Sequence, residues 1–230
     1  MRYDIATIGG DGIGPEVTAE AVKVLKAVSD REKFQIDFTD YPYGTDHYLA
    51  TGELFPDDVR EKIRTTKSAV LLGAIGDPRV EPGLVERPII MGMRFGWDLY
   101  VNLRPVRLYA EHLCPIKNKK PEDIDMVVVR ENTEDLYAGI EFARGTDDQR
   151  DLVAFVKQRQ PNAAISDDCG ISVKPISAKG SRRIVAFAFE YARQNGRQLV
   201  TAVHKANIMK HSDGLFLEVA RHVARHYSDI

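Results

Sequence analysis

Residues 3–8 form a short apolar run, the pattern of a buried strand, and the run ends in Gly9, Gly10, Gly12 and Gly14. Pro15-Glu16 then predict a helix start, because the N–H that proline lacks has no partner in a first helical turn. Val17, Ala21, Val24, Leu25 and Val28 recur at helical spacing and predict one apolar face. Phe34, Ile36 and Phe38 alternate as a strand, Phe55-Pro56-Asp57-Asp58 opens a short helix running through Ile63, and residues 69–72 read as a fully apolar strand. Strands alternating with helices in this way predict a mostly parallel sheet covered by helices.

Beyond residue 100 the pattern changes. Residues 125–129 are a strand running into the polar cluster Arg130-Glu131-Asn132-Thr133-Glu134-Asp135. Further strands are predicted within 137–142 and 170–173, and the charged stretch 144–150 reads as an exposed turn. Ser177 opens a long helix that buries Ile184, Val185, Ala188 and Tyr191 and stops at Asn195-Gly196. Residues 199–203 predict another strand, ending in His204-Lys205-Ala206-Asn207. The last helix, 213–226, places Leu215, Phe216, Val219, Val223 and Tyr227 on one face.

Composition narrows the classes. The 230 residues carry 32 basic and 34 acidic side chains, a net charge of −2, so no basic excess of the kind that binds nucleic acid is present. With 43% hydrophobic and 29% charged residues the chain has the makeup of a folded domain. No apolar stretch approaches the ~20 residues of a membrane span, and the opening run is too short for a signal-peptide core. Cys114 and Cys169 lack CxxC spacing and read as buried thiols of a reducing compartment, hence a cytoplasmic location.

The candidate chemistry lies at strand ends. Gly9-Gly10-Asp11-Gly12-Ile13-Gly14-Pro15 sits between a strand and a helix, yet its spacing matches neither GxGxxG nor a Walker loop. Gly73-Ala74-Ile75-Gly76-Asp77-Pro78 follows its strand in the same manner, so two glycine loops flank one ligand crevice or merely turn the chain tightly. Arg94, Arg104 and Arg130 fall in different elements, the last two read as lying beside strand ends; planar guanidiniums suit a substrate with several carboxylates. Tyr137 and Lys205 are candidate proton-transfer groups, Lys205 because the end of an apolar strand would desolvate it. His222 and His226 have i, i+4 spacing but no acidic ligand between them, and read as a solvated basic face.

Four ordered runs together resemble the β-decarboxylating dehydrogenases, the family of isocitrate, 3-isopropylmalate, homoisocitrate, tartrate and D-malate dehydrogenases. They are Gly10-Asp11-Gly12-Ile13-Gly14-Pro15-Glu16; Arg94 with Asp98-Leu99-Tyr100-Val101-Asn102-Leu103-Arg104-Pro105; Arg130-Glu131-Asn132-Thr133-Glu134-Asp135-Leu136-Tyr137-Ala138-Gly139; and His204-Lys205-Ala206-Asn207. The resemblance implies a fold other than Rossmann: an α/β chain with helices on both faces of a mostly parallel sheet, residues 1–100 forming the start of the cofactor-side domain and 101–230 a second α/β domain with a dimerisation arm.

It implies that Arg94, Arg104 and Arg130 hold the carboxylates of a malate core, that Lys205 takes or relays the C2 hydroxyl proton, and that Tyr137 protonates the enol left by CO₂ loss. Ile13 and the 73–78 loop with Gly76 would lie near the nicotinamide of NAD or NADP, and Asn207 would reach it from a second subunit, as would Lys205, so the site needs a homodimer. Mg²⁺ or Mn²⁺ is implied, with its ligands unassigned. Where bacterial NADP-type isocitrate enzymes carry a serine and an asparagine before the first arginine, this chain has Pro88 and Ile90, an apolar surface that favours an alkyl group over a carboxylate. Other runs resemble isocitrate, tartrate and D-malate enzymes, leaving the choice between isopropylmalate-like and isocitrate-like substrates open. Family members run longer, so the chain is expected to lack their C-terminal third; the alternative to an oxidative decarboxylase is a non-catalytic fragment or a dimerising carboxylate-binding module.

Overall fold

The computed structural model describes residues 1–230, and in it the leading apolar run becomes β1 (Arg2–Gly10), the central strand of a parallel sheet. β2 (Gln35–Asp40) pairs along one edge, Arg2 opposite Gln35, and β3 (Ala69–Ala74) along the other, Ile5 opposite Ala69, giving the order β2-β1-β3. The chain divides into two compact units, Met1–Asp98 and Leu99–Ile230, and this sheet organises the first.

Helices cover both faces of that sheet. α1 (Gly14–Glu32) has proline in its first turn and ends at Lys33, whose left-handed φ of 56° lets its N–H reach Ser29 O. Its buried positions are Gly14, Thr18 and Ser29, with Ala21 and Leu25 half-buried, whereas Val17, Val24 and Val28 are exposed, so only part of the apolar stripe is turned to the sheet. The reason is steric. A Cβ on Gly73 of β3 would stand 2.7 Å from Thr18 Oγ1, and a helix this close to a strand meets it through small residues. On the opposite face Ala6 and Ile8 are fully buried against Phe55, Val85, Ile63 of α3 (Asp57–Thr66) and Ile89 and Met93. Each large apolar side chain buried there contributes about 1.5–3 kcal/mol. Ile89 belongs to a π-helical turn, Arg87–Met91, that runs on into α4 (Gly92–Gly96). α2 (Thr45–Thr51), a short helix without apolar periodicity, follows β2.

The second unit is built on an antiparallel pair, β4 (Val101–Arg107) and β5 (Asp125–Glu131), with Asn102 opposite Arg130 and Arg104 opposite Val128. Arg104 therefore lies within its strand instead of at its end. The stretch that reads as a turn leads into α5 (Asp147–Arg159), capped by Thr146 Oγ1 accepting from the Gln149 N–H. Its polar first turn hides the helix, because the buried positions are Gln149 and Val153. β6 (Glu141–Phe142) and β7 (Ile171–Ser172) close this excursion as a two-residue antiparallel ladder, while Tyr137 falls before it, in a 3₁₀ turn over Asp135–Ala138. α6 (Ala178–Gln194), capped by Ser177, and α7 (Ser212–Ala224) bury Ile184, Val185, Phe189, Val219, Ala220 and Val223 together, with Val129 of β5 against them.

The strand expected at 199–203 does not form: these residues pair with no strand, and Leu199 and Val203 are 78% and 87% exposed. Cys114 and Cys169 are unpaired and only half-buried. No helix is long and apolar enough to cross a membrane.

Candidate active-site residues

In the first unit the two glycine loops are in backbone contact. A Cβ on Gly10 (φ 75°) would lie 2.1 Å from Ala74 O, and one on Gly73 2.1 Å from Gly9 O, so side chains are excluded where the loops meet. Asp11 fastens the arrangement. Its N–H donates to Ala74 O (2.7 Å), and its buried carboxylate accepts from Thr45 N–H (2.6 Å), Thr45 Oγ1 (3.1 Å) and Gly76 N–H (2.9 Å). Three segments that follow β1, β2 and β3 are thereby joined at the carboxyl ends of parallel strands, where α/β sheets bind ligands. Ile13 projects from the first loop, 62% exposed, and presents an apolar surface beside backbone. Gly76 has φ 128°, a conformation that L side chains rarely adopt. Next to it Arg79 donates to Asp77 and Asp46 and holds the Asp77 carboxyl at about 2, chiefly through its side-chain hydrogen bond.

Ile90 and Arg94 lie one helical turn apart on the continuous stretch formed by the π turn and α4, both half-buried, with Ile89 and Met93 anchoring the opposite side in the core. The Arg60 guanidinium packs against this helix, where a Cβ on Gly92 would come within 2.7 Å of it, while it pairs with Asp57 at 2.8 Å.

In the second unit Arg104 and Arg130 are carried by paired strands. Arg104 Nε donates to Asn102 Oδ1 (2.9 Å), and Asn102 Nδ2 donates to buried Asn132 (3.2 Å), which in turn donates to Leu99 O (3.3 Å). Arg130 stacks over the Tyr137 ring, guanidinium carbon 4.0 Å from its centroid. The neighbouring Glu131 is fully occupied elsewhere: it accepts from Thr133 N–H and Oγ1, Glu134 N–H and Arg183, each at 2.7 Å. Burial acts to raise the Glu131 carboxyl, but these hydrogen bonds outweigh it and the pKa is lowered. Arg183 also stacks on Tyr100 (4.4 Å), and Glu134 accepts from Ser177 N–H (2.8 Å) and Oγ at the head of α6.

Lys205 is exposed in a turn and has no apolar strand to desolvate it, contrary to the sequence reading. Its N–H donates to Asp213 (2.8 Å), which Lys174 also holds (2.8 Å). Asn207 is exposed two residues on. His222 and His226 touch edge to face (5.8 Å), and no group of three or more His, Cys, Asp or Glu side chains is arranged to hold a metal. Thr45, Lys174, Asp213 and the tie made by Asp11 escaped the sequence reading because most of their partners lie 34 to 65 residues away, outside any shared motif.

A family model described as isocitrate/isopropylmalate dehydrogenase matches residues 4–230. A 3-isopropylmalate dehydrogenase of Thermobifida fusca is 40% identical over 226 residues, covering 98% of this chain and 59% of its own length. One from Mycobacterium avium is 42% identical, with 98% and 60% covered. A crystal structure of isocitrate dehydrogenase from Methylococcus capsulatus superposes with a TM-score of 0.76 at 33% identity, across 99% of this chain and 58% of that one. The chain thus spans about three fifths of the length of the relatives it matches. Over nearly every residue, and with the parallel sheet and covering helices in place, the chain belongs to the isocitrate/isopropylmalate dehydrogenase family.

Proposed function

We propose that this chain carries the substrate-holding and proton-handling residues of an NAD(P)- and divalent-metal-dependent oxidative decarboxylase acting on a malate-type 2-hydroxy acid, 3-isopropylmalate-like or isocitrate-like. The observation that carries the reading is the stacking of Arg130 on Tyr137, which sets a guanidinium suited to a carboxylate against the face of a ring whose hydroxyl can give up a proton. Because Glu131 is saturated by its own donors, it does not compete for that guanidinium.

The exposed apolar Ile13 and the side-chain-free loops around Gly10 and Gly76 fit a flat ring lying against backbone, so these residues would hold the nicotinamide. When bound, a nicotinamide would supply the acceptor for the hydride of C2. Arg94, Arg104 and Arg130 hold the carboxylates and orient C2. Lys205 receives the C2 hydroxyl proton; the bond from C3 to its carboxylate breaks, CO₂ leaves with the bonding pair passing to the C2 oxygen, and Tyr137 protonates C3 of the enolate so formed. Ile90 lies one turn before Arg94 and favours an alkyl substituent there, which supports the isopropylmalate-like end of the range. The chain's own side chains offer no group of three or more carboxylate, imidazole or thiol ligands for the divalent metal. Pairing with a second copy, with Asn207 and Lys205 serving across the interface, is part of the same proposal; Leu136 and Ile140, 55% and 42% exposed on the segment around β6, supply apolar surface for it.

The test is NAD(P)H formation by the native protein with Mg²⁺ or Mn²⁺ on isocitrate, 3-isopropylmalate, tartrate and D-malate. Turnover of one of them, lost in Tyr137→Phe and Lys205→Met, is the expected outcome. Carboxylate binding with no reduction of either cofactor would establish a binding module in its place.

A further inference from the structure

Lys174 follows β7, outside all four family runs, and its side chain is only 25% exposed. Its Nζ donates to Asp213 Oδ2 at 2.8 Å and stands 3.9 Å from Asp135 Oδ2, placing one cation between two carboxylates. Both carboxylates lead to the proton-transfer residues. Asp213, 10% exposed, accepts the Lys205 N–H on its other oxygen at 2.8 Å. The Lys205 carbonyl accepts from the N–H groups of Ile208 and Met209, so Asp213 supplies the N–H side of a main chain fixed at both ends. With no strand over 199–203, no ladder holds that segment, and the Asp213 contact stands in for one.

Asp135 opens the 3₁₀ turn that carries Tyr137. Its φ of 67° is left-handed, costly for a residue with a side chain and kept only where surrounding contacts enforce it. Two contacts come from a single segment: the Asp135 N–H donates to Pro175 O (3.0 Å), and the adjacent Lys174 faces its carboxylate.

We propose that Lys174 is a positioning residue, holding through Asp213 and Asp135 the main chain of both Lys205 and Tyr137. The inference rests on the reading that these two residues move protons. A side chain that fixes the geometry of proton transfer without touching substrate acts on kcat and leaves KM nearly alone. The direction of the Asp213 titration agrees: the Lys174 hydrogen bond, ahead of burial, which opposes it, lowers its pKa, so the carboxylate is charged when it holds Lys205.

The experiment uses the native protein and the acid that it turns over. Lys174→Met keeps the length of the side chain and removes its charge; kcat is expected to fall about 10- to 100-fold with KM for the acid changed less than about twofold. Lys174→Arg, which can span both carboxylates, is expected to recover most of that loss. Asp213→Asn keeps an acceptor for the Lys205 N–H without the ion pair and is expected to lose kcat as Lys174→Met does; it decides the matter if the methionine variant does not fold. An unchanged kcat in a folded Lys174→Met or Asp213→Asn protein, a loss confined to KM, or no recovery with arginine would overturn the positioning role. Absence of turnover by the unmodified protein would overturn the functional reading, and the positioning role with it.

Discussion

Asp11→Ala removes the carboxylate that joins three loops, and its cost can be worked contact by contact. The residue is 5% exposed and accepts three hydrogen bonds. Thr45 opens α2, whose preceding residue, Gly44, has no side chain to cap it, so Asp11 performs that duty from 34 residues away. Thr45 is fully buried, and without Asp11 its N–H has no water to turn to, a loss of about 1–3 kcal/mol. Gly76 is exposed, so its N–H recovers a solvent partner and adds less than about 1 kcal/mol, and the Thr45 hydroxyl can rotate. The expected total is about 2–3 kcal/mol. The single tryptophan, Trp97, packs against the core of the first unit, so its fluorescence during urea unfolding reports on that unit alone. With a slope of about 2 kcal/mol per molar urea, the midpoint should drop by roughly 1–1.5 M. Asp11→Asn, which exchanges one acceptor for donors, should fall between alanine and the wild type. A midpoint shift below about 0.3 M for Asp11→Ala would refute the assignment of Asp11 as the tie between the loops.

Two further outcomes follow from the geometry. Gly73→Ala would force a Cβ to 2.1 Å from a main-chain oxygen that cannot swing aside, and should cost about 1–3 kcal/mol or more, read as a lower thermal midpoint of the first unit. The lowered Glu131 pKa means that its contribution to the second unit is complete above the ordinary carboxylate pKa near ~4.3 and is lost as pH falls through the lower folded value. Acid unfolding followed by circular dichroism should therefore steepen in that range, and Glu131→Gln should be less stable at neutral pH while showing a shallower acid decline; an unchanged acid profile would contradict the linkage.

The sequence patterns revealed most where one residue type had one job. β1, β2 and β3 are legible because short apolar or alternating runs end at glycine or polar residues, and α6 because its apolar spacing, Ser177 cap and Asn195-Gly196 stop all agree. The stripe on α1 misled in part because the start of the face turned to the sheet is chosen by closeness, Gly14 and Thr18 against Gly73, and only Ala21 and Leu25 of the apolar set lie half-buried. α5 was hidden for the converse reason, a buried glutamine standing where an apolar residue would signal a helix. Residues 199–203 have a strand's composition without a strand's neighbour, and pairing is the part of strand formation that composition does not encode. Among the proposed site residues the arginines and Tyr137 announce themselves through side-chain chemistry, whereas Asp11 acts on backbone 34 and 65 residues away and Lys174 on carboxylates 39 residues to either side, distances over which no local pattern links them.

The placement of β1 between β2 and β3 also sets an order of events during synthesis. β1 is made before either neighbour, and its ladder with β3 reaches across 64 residues, from Ile5 to Ala69. At about 5–20 residues per second on the ribosome, that span takes roughly 3–13 s, during which the central strand has at most one partner. The glycine loops and the full Asp11 tie, which need β3, can close only at the end of that interval, so until then a nascent chain exposes what becomes the most deeply buried strand of its first unit to whatever holds unfolded segments in the cell.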